Sequence, residues 1–502
     1  MGILFYGDNL EILRSKIADE SVDLCYIDPP FNSKRSYFQI YNDIGGEQDK
    51  AQAQAFIDTW QWDTHAKEGY QQIITNFEGR FTRQSIELIK GLEMILGKSD
   101  LLAYLVSMTL RVTEIYRVLK SSGSFYLHCD PTASHYLKLM LDAVFCGQDG
   151  QFQNEIIWCY SIGGKSKKRF ARKHDVIFFY TKSNKDTHTF VESGASIPRK
   201  PNSHMKVGKD ADGREYQEKI DRKSGKSYRY YLDEGKIAED YWIDIETLNR
   251  EDKERLGYPT QKPEALLERI IKASSNEGDT ILDAYCGCGT SVAVAQKLKR
   301  NWLGIDITYH SISLILKRMY ETFGESVAKN IKVDGIPQDM NAARALANRE
   351  DDRIRKEFEK WAVLTYTNNR GLINTKKGAD KGIDGVVYFA AAPNITERMV
   401  IQVKSGGANR ATIATLHSDM QREQAQMATL ITMDEPTKPM KDEASKAGTY
   451  HHPLMGRDYD KIQIVTVQEL IEQEKKLELP LSFEVVKTAK KQIDDSQLKM
   501  GL

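Results

Sequence analysis

Hydrophobic positions along the chain change their period from block to block. Residues 3–6 form a short apolar run that Gly7-Asp8-Asn9 breaks. Residues 10–17 carry apolar side chains at helical spacing, and residues 22–27 are almost continuously apolar, as in a strand buried on both faces. Pro29 and Pro30 cannot donate ladder hydrogen bonds, so that strand must end before them. Residues 47–118, rich in Ala, Gln, Glu and Leu, predict helix throughout. Strands are expected at 124–128, 155–160 and 175–181, with a helix from about Thr132 and a basic, glycine-containing loop between the last two strands. From 192 to 256 the pattern turns polar and irregular, which suits an inserted recognition region better than a sheet core. Helical period returns after Pro263. Strand 280–284, a glycine turn, helix 291–298 and strand 302–305 then form a βαβ crossover, which calls for a parallel sheet. Residues 331–350 read as a linker, and helix, strand, strand and helix in 351–502 predict a separate, smaller α/β unit.

Composition narrows the class. A chain of 502 residues with 40% hydrophobic and 28% charged residues is too long for one core and too apolar for disorder. No stretch approaches the roughly 18 consecutive apolar residues of a membrane span, and residues 1–6 show no leader pattern, so a soluble, cytoplasmic protein is expected. Net charge is zero, with 71 Lys and Arg against 71 Asp and Glu. The stretch 163–229 departs from that balance, with eighteen Lys and Arg against eight Asp and Glu, as expected of a polyanion contact or of a solvated basic loop. The six cysteines show no Cys-x-x-Cys spacing, so reduced thiols are expected and a zinc site is not.

Two short motifs carry chemistry. In Asp283-Ala284-Tyr285-Cys286-Gly287-Cys288-Gly289-Thr290, glycines between a strand and a helix let the backbone approach a ligand and aim helix N-terminal amides at it. Asp306 ends the next strand with a carboxylate placed to accept from ribose hydroxyls. The third glycine of a dinucleotide fingerprint is Val292 here, which disfavours a nicotinamide oxidoreductase. Asp28-Pro29-Pro30-Phe31 sets a carboxylate, a rigid carbonyl and an aromatic face at the carboxyl end of a buried strand, where open α/β sheets bind ligands. Either motif alone could be a packing turn; together they describe a site that holds a flat ring with an exocyclic amine.

In this order the motifs resemble the β class of S-adenosylmethionine-dependent amino DNA methyltransferases. Asp28-Pro29-Pro30-Phe31 comes first, the polar insert follows, and Thr260-Gln261-Lys262-Pro263 leads into the glycine turn. The likeness covers residues 1–325 and extends to Tyr6-Gly7-Asp8 and the stretch from Asn154 to Lys182. It implies a Rossmann-like α/β methyltransferase fold over 1–330, with a target-recognition insert at 185–256. It also implies a cofactor site of Asp283, Tyr285, Gly287, Gly289, Thr290 and Asp306, with Asp8 near the adenine and Lys262-Pro263 near the methionine end. Asp28 and the Pro29 carbonyl would hold the target amine, Pro30 would stiffen the turn, and Phe31 would stack on a flipped base. Trp158 or Tyr160 could form the other face of that sandwich, or be core. Double-stranded DNA is the implied substrate and a homodimer a family expectation. Asp as the first motif residue favours adenine N6 over cytosine N4.

The remaining residues need their own account. Glu359 lies on a predicted helix, Asp384 enters a strand, and Gln402 and Lys404 share one face of the next strand. This pattern resembles the Mrr-like branch of the restriction-endonuclease fold, with Gln in place of the usual acid. The resemblance implies an α/β nuclease-like domain over 351–502, with Asp384 and Glu359 as ligands of a possible Mg²⁺. Having Gln for an acid removes one negative charge from such a site, and a domain that binds DNA without cutting is the alternative.

Overall fold

The computed structural model describes residues 1–30, 36–40, 52–57, 61–161, 167–168, 170–199, 205–221, 223–249, 251–256, 258, 260–348, 352–368, 371–373, 382–392 and 395–479. Nine strands form one sheet: β1 (Gly2–Tyr6), β2 (Val22–Ile27), β3 (Leu119–Cys129), β4 (Gln151–Cys159), β5 (His174–Thr181), β6 (Tyr241–Trp242), β7 (Thr280–Asp283), β8 (Asn301–Asp306) and β9 (Lys332–Asp334). Their order is β6-β4-β5-β3-β2-β7-β8-β1-β9. The strands from β3 to β9 in that order run parallel, while β5 is antiparallel to both β3 and β4. Chain direction reverses its build-out at the β2–β7 seam, where Leu24 pairs with Ile281 and Cys25 with Leu282. The seam therefore brings the end of β2 beside the glycine turn after β7, although the sequence separates them by the whole recognition insert.

Helices cover both faces. On one side lies the helix Asp100–Val118, started by the Ser99 hydroxyl, which accepts from the Leu102 amide at 3.3 Å. It fully buries Leu102, Leu105, Met108, Val112 and Ile115 against Phe125 and Leu127, each worth about 2 kcal/mol of burial. Glu114 on the same helix is buried among Arg14, Arg80 and Arg117, at 3.0, 2.6 and 2.7 Å. Burial alone would raise its carboxyl; the three guanidiniums hold it below the usual range. The helices Glu264–Ser274, Thr290–Lys297 and Tyr309–Phe323 cover the other face.

Four stretches depart from the sequence pattern. Residues Gln52–Ile57 are a strand paired with Ser36–Ile40, because cross-strand pairing overrides the helix propensity of Ala and Gln. Within the polar insert, three antiparallel strands (Lys206–Lys209, Glu215–Ile220 and Ser227–Tyr231) form a small separate sheet. Insert residues Tyr241–Trp242, by contrast, join the main sheet as β6, with the Trp242 side chain buried. The 331–350 stretch is no open tether: β9 pairs with β1, and Ala343 and Ala347 of the helix Met340–Ala347 are buried in the core.

The C-terminal unit is a five-stranded sheet in the order β10 (Leu372–Ile373), β11 (Gly385–Ala392), β12 (Ile395–Lys404), β13 (Met427–Thr432) and β14 (Ile462–Thr466). The helix Asp352–Tyr366 packs on one face through Phe358 and Trp361, against Ile401 and Val403. The helix Arg410–Arg422 packs on the other, beside Val400. One continuous apolar cluster runs from Leu4, Trp302 and Ile315 of the first unit to Phe358, Trp361 and Val387 of the second.

Candidate active site at the carboxyl ends of the parallel strands

The turn after β7 needs its glycines. Gly287 and Gly289 adopt φ of +48° and +76°, a region that favours glycine. A Cβ on Gly289 would lie 2.6 Å from Ile315 Cγ1, and one on Gly287 3.2 Å from the Tyr258 ring. Asp283 is buried beneath the turn, where it accepts from the Tyr285 amide at 2.9 Å and from the Ser291 hydroxyl. Burial pushes its carboxyl up to about 7. Asp306 reaches across from β8: its Oδ2 accepts from the Gly287 amide at 2.9 Å, and its Oδ1 from the Thr308 amide and hydroxyl at 2.9 and 3.0 Å. Burial pushes Asp306 up to about 6. Next to it Ile307 stays 52% exposed, an apolar side chain at the lip of the turn that the sequence did not single out.

Asp8 caps the helix Asn9–Lys16 by accepting from the Leu10 amide at 2.9 Å, and its other oxygen pairs with Arg111 at 2.9 Å. Arg111 also donates to Asn9 Oδ1 at 2.5 Å, and Asn9 donates to the Ala284 carbonyl at 2.9 Å. These bonds stitch the end of β1 to the glycine turn. The Tyr285 hydroxyl meets Met108 Sδ at 3.6 Å. Thr290 is buried, its hydroxyl accepting from Arg318 at 3.1 Å, while Arg318 also pairs with Glu264 at 2.8 Å.

Asp28 stands just past β2. Its Oδ2 lies 2.6 Å from Lys262 Nζ, and its Oδ1 is buried with no hydrogen-bond partner among the described residues. Lys262, expected at the methionine end of a cofactor, is thus also the direct partner of the first residue of the second motif. Pro263 immediately precedes the helix Glu264–Ser274 in extended backbone, and Pro29 is buried. Phe31 lies outside the described residues.

A polar chain that the sequence pattern did not flag crosses the same end of the sheet. The Tyr26 hydroxyl is 2.9 Å from His128 Nδ1, His128 Nε2 is 3.1 Å from Asp175 Oδ2, and the Tyr160 hydroxyl donates to Asp175 Oδ1 at 3.2 Å. The available signal was His128 itself, a polar residue inside the otherwise apolar run 125–129, which the structure buries fully. Trp158 is core: it is 1% exposed and donates to the Ile245 carbonyl at 2.7 Å.

In the C-terminal unit the residues do not fit a divalent-metal site. Gln402 and Lys404 share a face as the alternation predicts. Gln402, however, is buried and turns its amide inward to the Gly382 carbonyl at 2.5 Å, and Asp384 Oδ2 accepts from the Val403 amide at 2.7 Å. Glu359 sits on the helix whose apolar residues pack on the opposite face of β12. Among the described residues no group of three His, Cys, Asp or Glu side chains could hold a metal. The expected Mg²⁺ site built on Asp384 is therefore corrected: β12 offers a neutral amide where an acid is needed, its Nε2 bonded to backbone and its Oε1 buried without a hydrogen-bond partner among the described residues.

A parallel sheet with one reversed strand thus carries, at the carboxyl ends of its strands, a glycine turn clamped by two acidic strand ends and a half-buried carboxylate at the seam. Residues 22–317 match the family model described as N6_N4 DNA methylase, and the chain belongs to that family of DNA methyltransferases. It is 29% identical over 263 residues to the type II methyltransferase M.HpaI of Haemophilus parainfluenzae, covering 51% of this chain and 71% of the relative. It is 26% identical over 317 residues to the DNA adenine methyltransferase YhdJ of Escherichia coli (strain K12), covering 63% and 82%. A third relative, the type II methyltransferase M1.MboII of Moraxella bovis, is 33% identical over 201 residues, covering 39% and 72%. Residues 355–472 match a model described as NACHT-associated inactive restriction endonuclease 1, which agrees with the incomplete donor set around Asp384. No helix among the described residues is long and apolar enough to cross a membrane.

Proposed function

We propose that the chain transfers a methyl group from S-adenosylmethionine to adenine N6 in double-stranded DNA. The observation that carries this reading is the buried, unpartnered Oδ1 of Asp28 at the strand seam, one step from the glycine turn. The residues around that turn fit the cofactor. Gly287 and Gly289 leave a cradle that a Cβ would fill, Asp306 brings a carboxyl group to the lip of the turn, and exposed Ile307 offers an apolar surface for a flat ring. Bound there, S-adenosylmethionine supplies an electrophilic sulfonium methyl.

The protein's own residues prepare the nucleophile. An exocyclic amine is a poor one because its lone pair is delocalised into the ring. Asp28 Oδ1 and the Pro29 carbonyl accept its two hydrogens and favour a tetrahedral nitrogen whose lone pair points away from the ring. Positioning and a fixed electrostatic field then do most of the work. In this reading Asp28 also takes up the proton that the methylated nitrogen sheds. Because the amine is stacked inside the duplex, the base must first be flipped out. An Asp at position 28 and the adenine specificity in the name of the relative YhdJ both favour adenine over cytosine.

The C-terminal unit, in this reading, engages DNA or the methyltransferase unit without cutting. The test is incubation of the purified chain with unmethylated DNA and labelled S-adenosylmethionine, then digestion to nucleosides. Label in N6-methyladenine is expected; label in N4-methylcytosine overturns the assignment of the base. In the same preparation, Mg²⁺ is expected to leave supercoiled plasmid intact.

A further inference from the structure

The chain Tyr26–His128–Asp175–Tyr160 spans β2, β3, β5 and the end of β4, all at the sheet end that carries Asp28. Asp28 follows Tyr26 by two residues, just past the end of β2, and lies close enough to act electrostatically on its hydroxyl. Three of the four members pay a desolvation penalty that only complete hydrogen bonding offsets: Tyr26 is 2% exposed, His128 is fully buried, and Asp175 is mostly enclosed. Burial would raise the Asp175 carboxyl, but the hydrogen bond from His128, with Lys262 nearby, holds it below the usual range, so it is an anion that only accepts. His128 Nε2 therefore carries the hydrogen of that bond, and the Tyr26 hydroxyl, kept protonated by burial, is hydrogen-bonded to Nδ1 on the other side of the ring. Trp158 stands edge-on to the imidazole with ring centroids 5.6 Å apart and fixes its plane.

At its far end the chain reaches the hairpin between β4 and β5. The Tyr160 amide donates to the Lys173 carbonyl at 3.0 Å, and Lys173 Nζ returns to the Ser161 carbonyl at 2.9 Å. That hairpin presents Lys167, Lys168 and Arg172 to solvent. We infer that His128 is a positioning residue for methyl transfer, tying the strand end that presents Asp28 to the base of a cationic hairpin suited to a nucleic-acid backbone. Seating of phosphates on the hairpin and alignment of Asp28 with the target amine then share one rigid connection.

The inference rests on the proposed methyl transfer, and the experiment separates the two. Wild type and the variants Tyr26→Phe, His128→Gln and Asp175→Asn are compared by single-turnover methylation at saturating DNA and cofactor, with cofactor affinity measured by calorimetry. Tyr26→Phe and Asp175→Asn are each expected to slow the single-turnover step about tenfold while cofactor affinity stays within about twofold. His128→Gln, which keeps a donor and an acceptor, should retain more activity than His128→Phe. The double variant Tyr26→Phe/Asp175→Asn should lose clearly less than the product of the single losses, because the two bonds act through one ring. Tyr26→Phe removes a single oxygen, so it decides the matter if the His128 variants fail to fold. Active wild type with Tyr26→Phe and Asp175→Asn at wild-type rate overturns the role of His128. Unlabelled DNA with wild type overturns the proposed function instead.

Discussion

Replacing Lys262 by Met keeps the aliphatic stem and removes the charge that faces Asp28. The two groups are 2.6 Å apart with side chains only 10% and 17% exposed. At an effective dielectric of about 20, that separation corresponds to about 6 kcal/mol of attraction, much of it offset by desolvation. Breaking a pair this enclosed by removing one partner costs about 3 kcal/mol, because a carboxylate is left without its counter-charge. If that pairing is what orients Asp28 toward the amine, the same loss appears in the chemical step as about a hundredfold slowing. Single-turnover methylation with labelled cofactor reads the rate, calorimetry reads cofactor affinity, and thermal unfolding reads stability. Lys262→Arg should recover most of the rate, and Asp28→Asn/Lys262→Met should be more stable than Lys262→Met alone. A variant that binds cofactor about a hundredfold more weakly yet turns over normally at saturation would refute this reasoning. Lys262 would then serve the methionine end of the cofactor, as its resemblance to the family implies.

Further outcomes follow from other parts of the structure. Gly289→Ala forces a Cβ to 2.6 Å from Ile315 at a positive φ, so calorimetry should find cofactor binding lost and thermal unfolding a destabilised chain. Asp283 and Asp306 have folded-state values raised to about 7 and about 6, so the folded chain holds protons that the unfolded chain has released. Their contribution to stability is complete below about pH 4 and is lost as pH rises to about 7. Asp283→Asn should flatten that part of the melting profile of the cofactor-free protein, and an unchanged slope would count against it. Glu357→Ala leaves the Tyr309 amide and the Tyr6 hydroxyl without their acceptor and should cost about 2 kcal/mol by denaturant titration.

The parts of the site that sit at strand ends were legible because local chemistry announces them. Two prolines stop β2, glycines stop β7, and a carboxylate marks each stop. The partnership of Asp28 with Lys262 was not legible, since it depends on the β2–β7 seam bringing together residues more than two hundred positions apart. His128 was missed for a similar reason: its partners lie on neighbouring strands, and only their register makes Tyr26 and Asp175 adjacent to it. In the insert, the polar pattern correctly excluded residues 206–231 from the main sheet, but β6 escaped notice because two residues carry no period. Around Asp384 the alternation of β12 was right about which residues share a face. It could not reveal that Gln402 turns its amide to the backbone.

Glu357 accepts from the Tyr309 amide at 3.0 Å, at the head of the helix that follows Asp306, and the apolar cluster beside it is common to both units. A chain shortened before residue 352 would therefore lose a helix cap and a wall of its own interior along with the appended domain. Substitutions that unfold the nuclease-shaped unit would be felt as loss of methylation, whether or not that unit has any chemistry of its own.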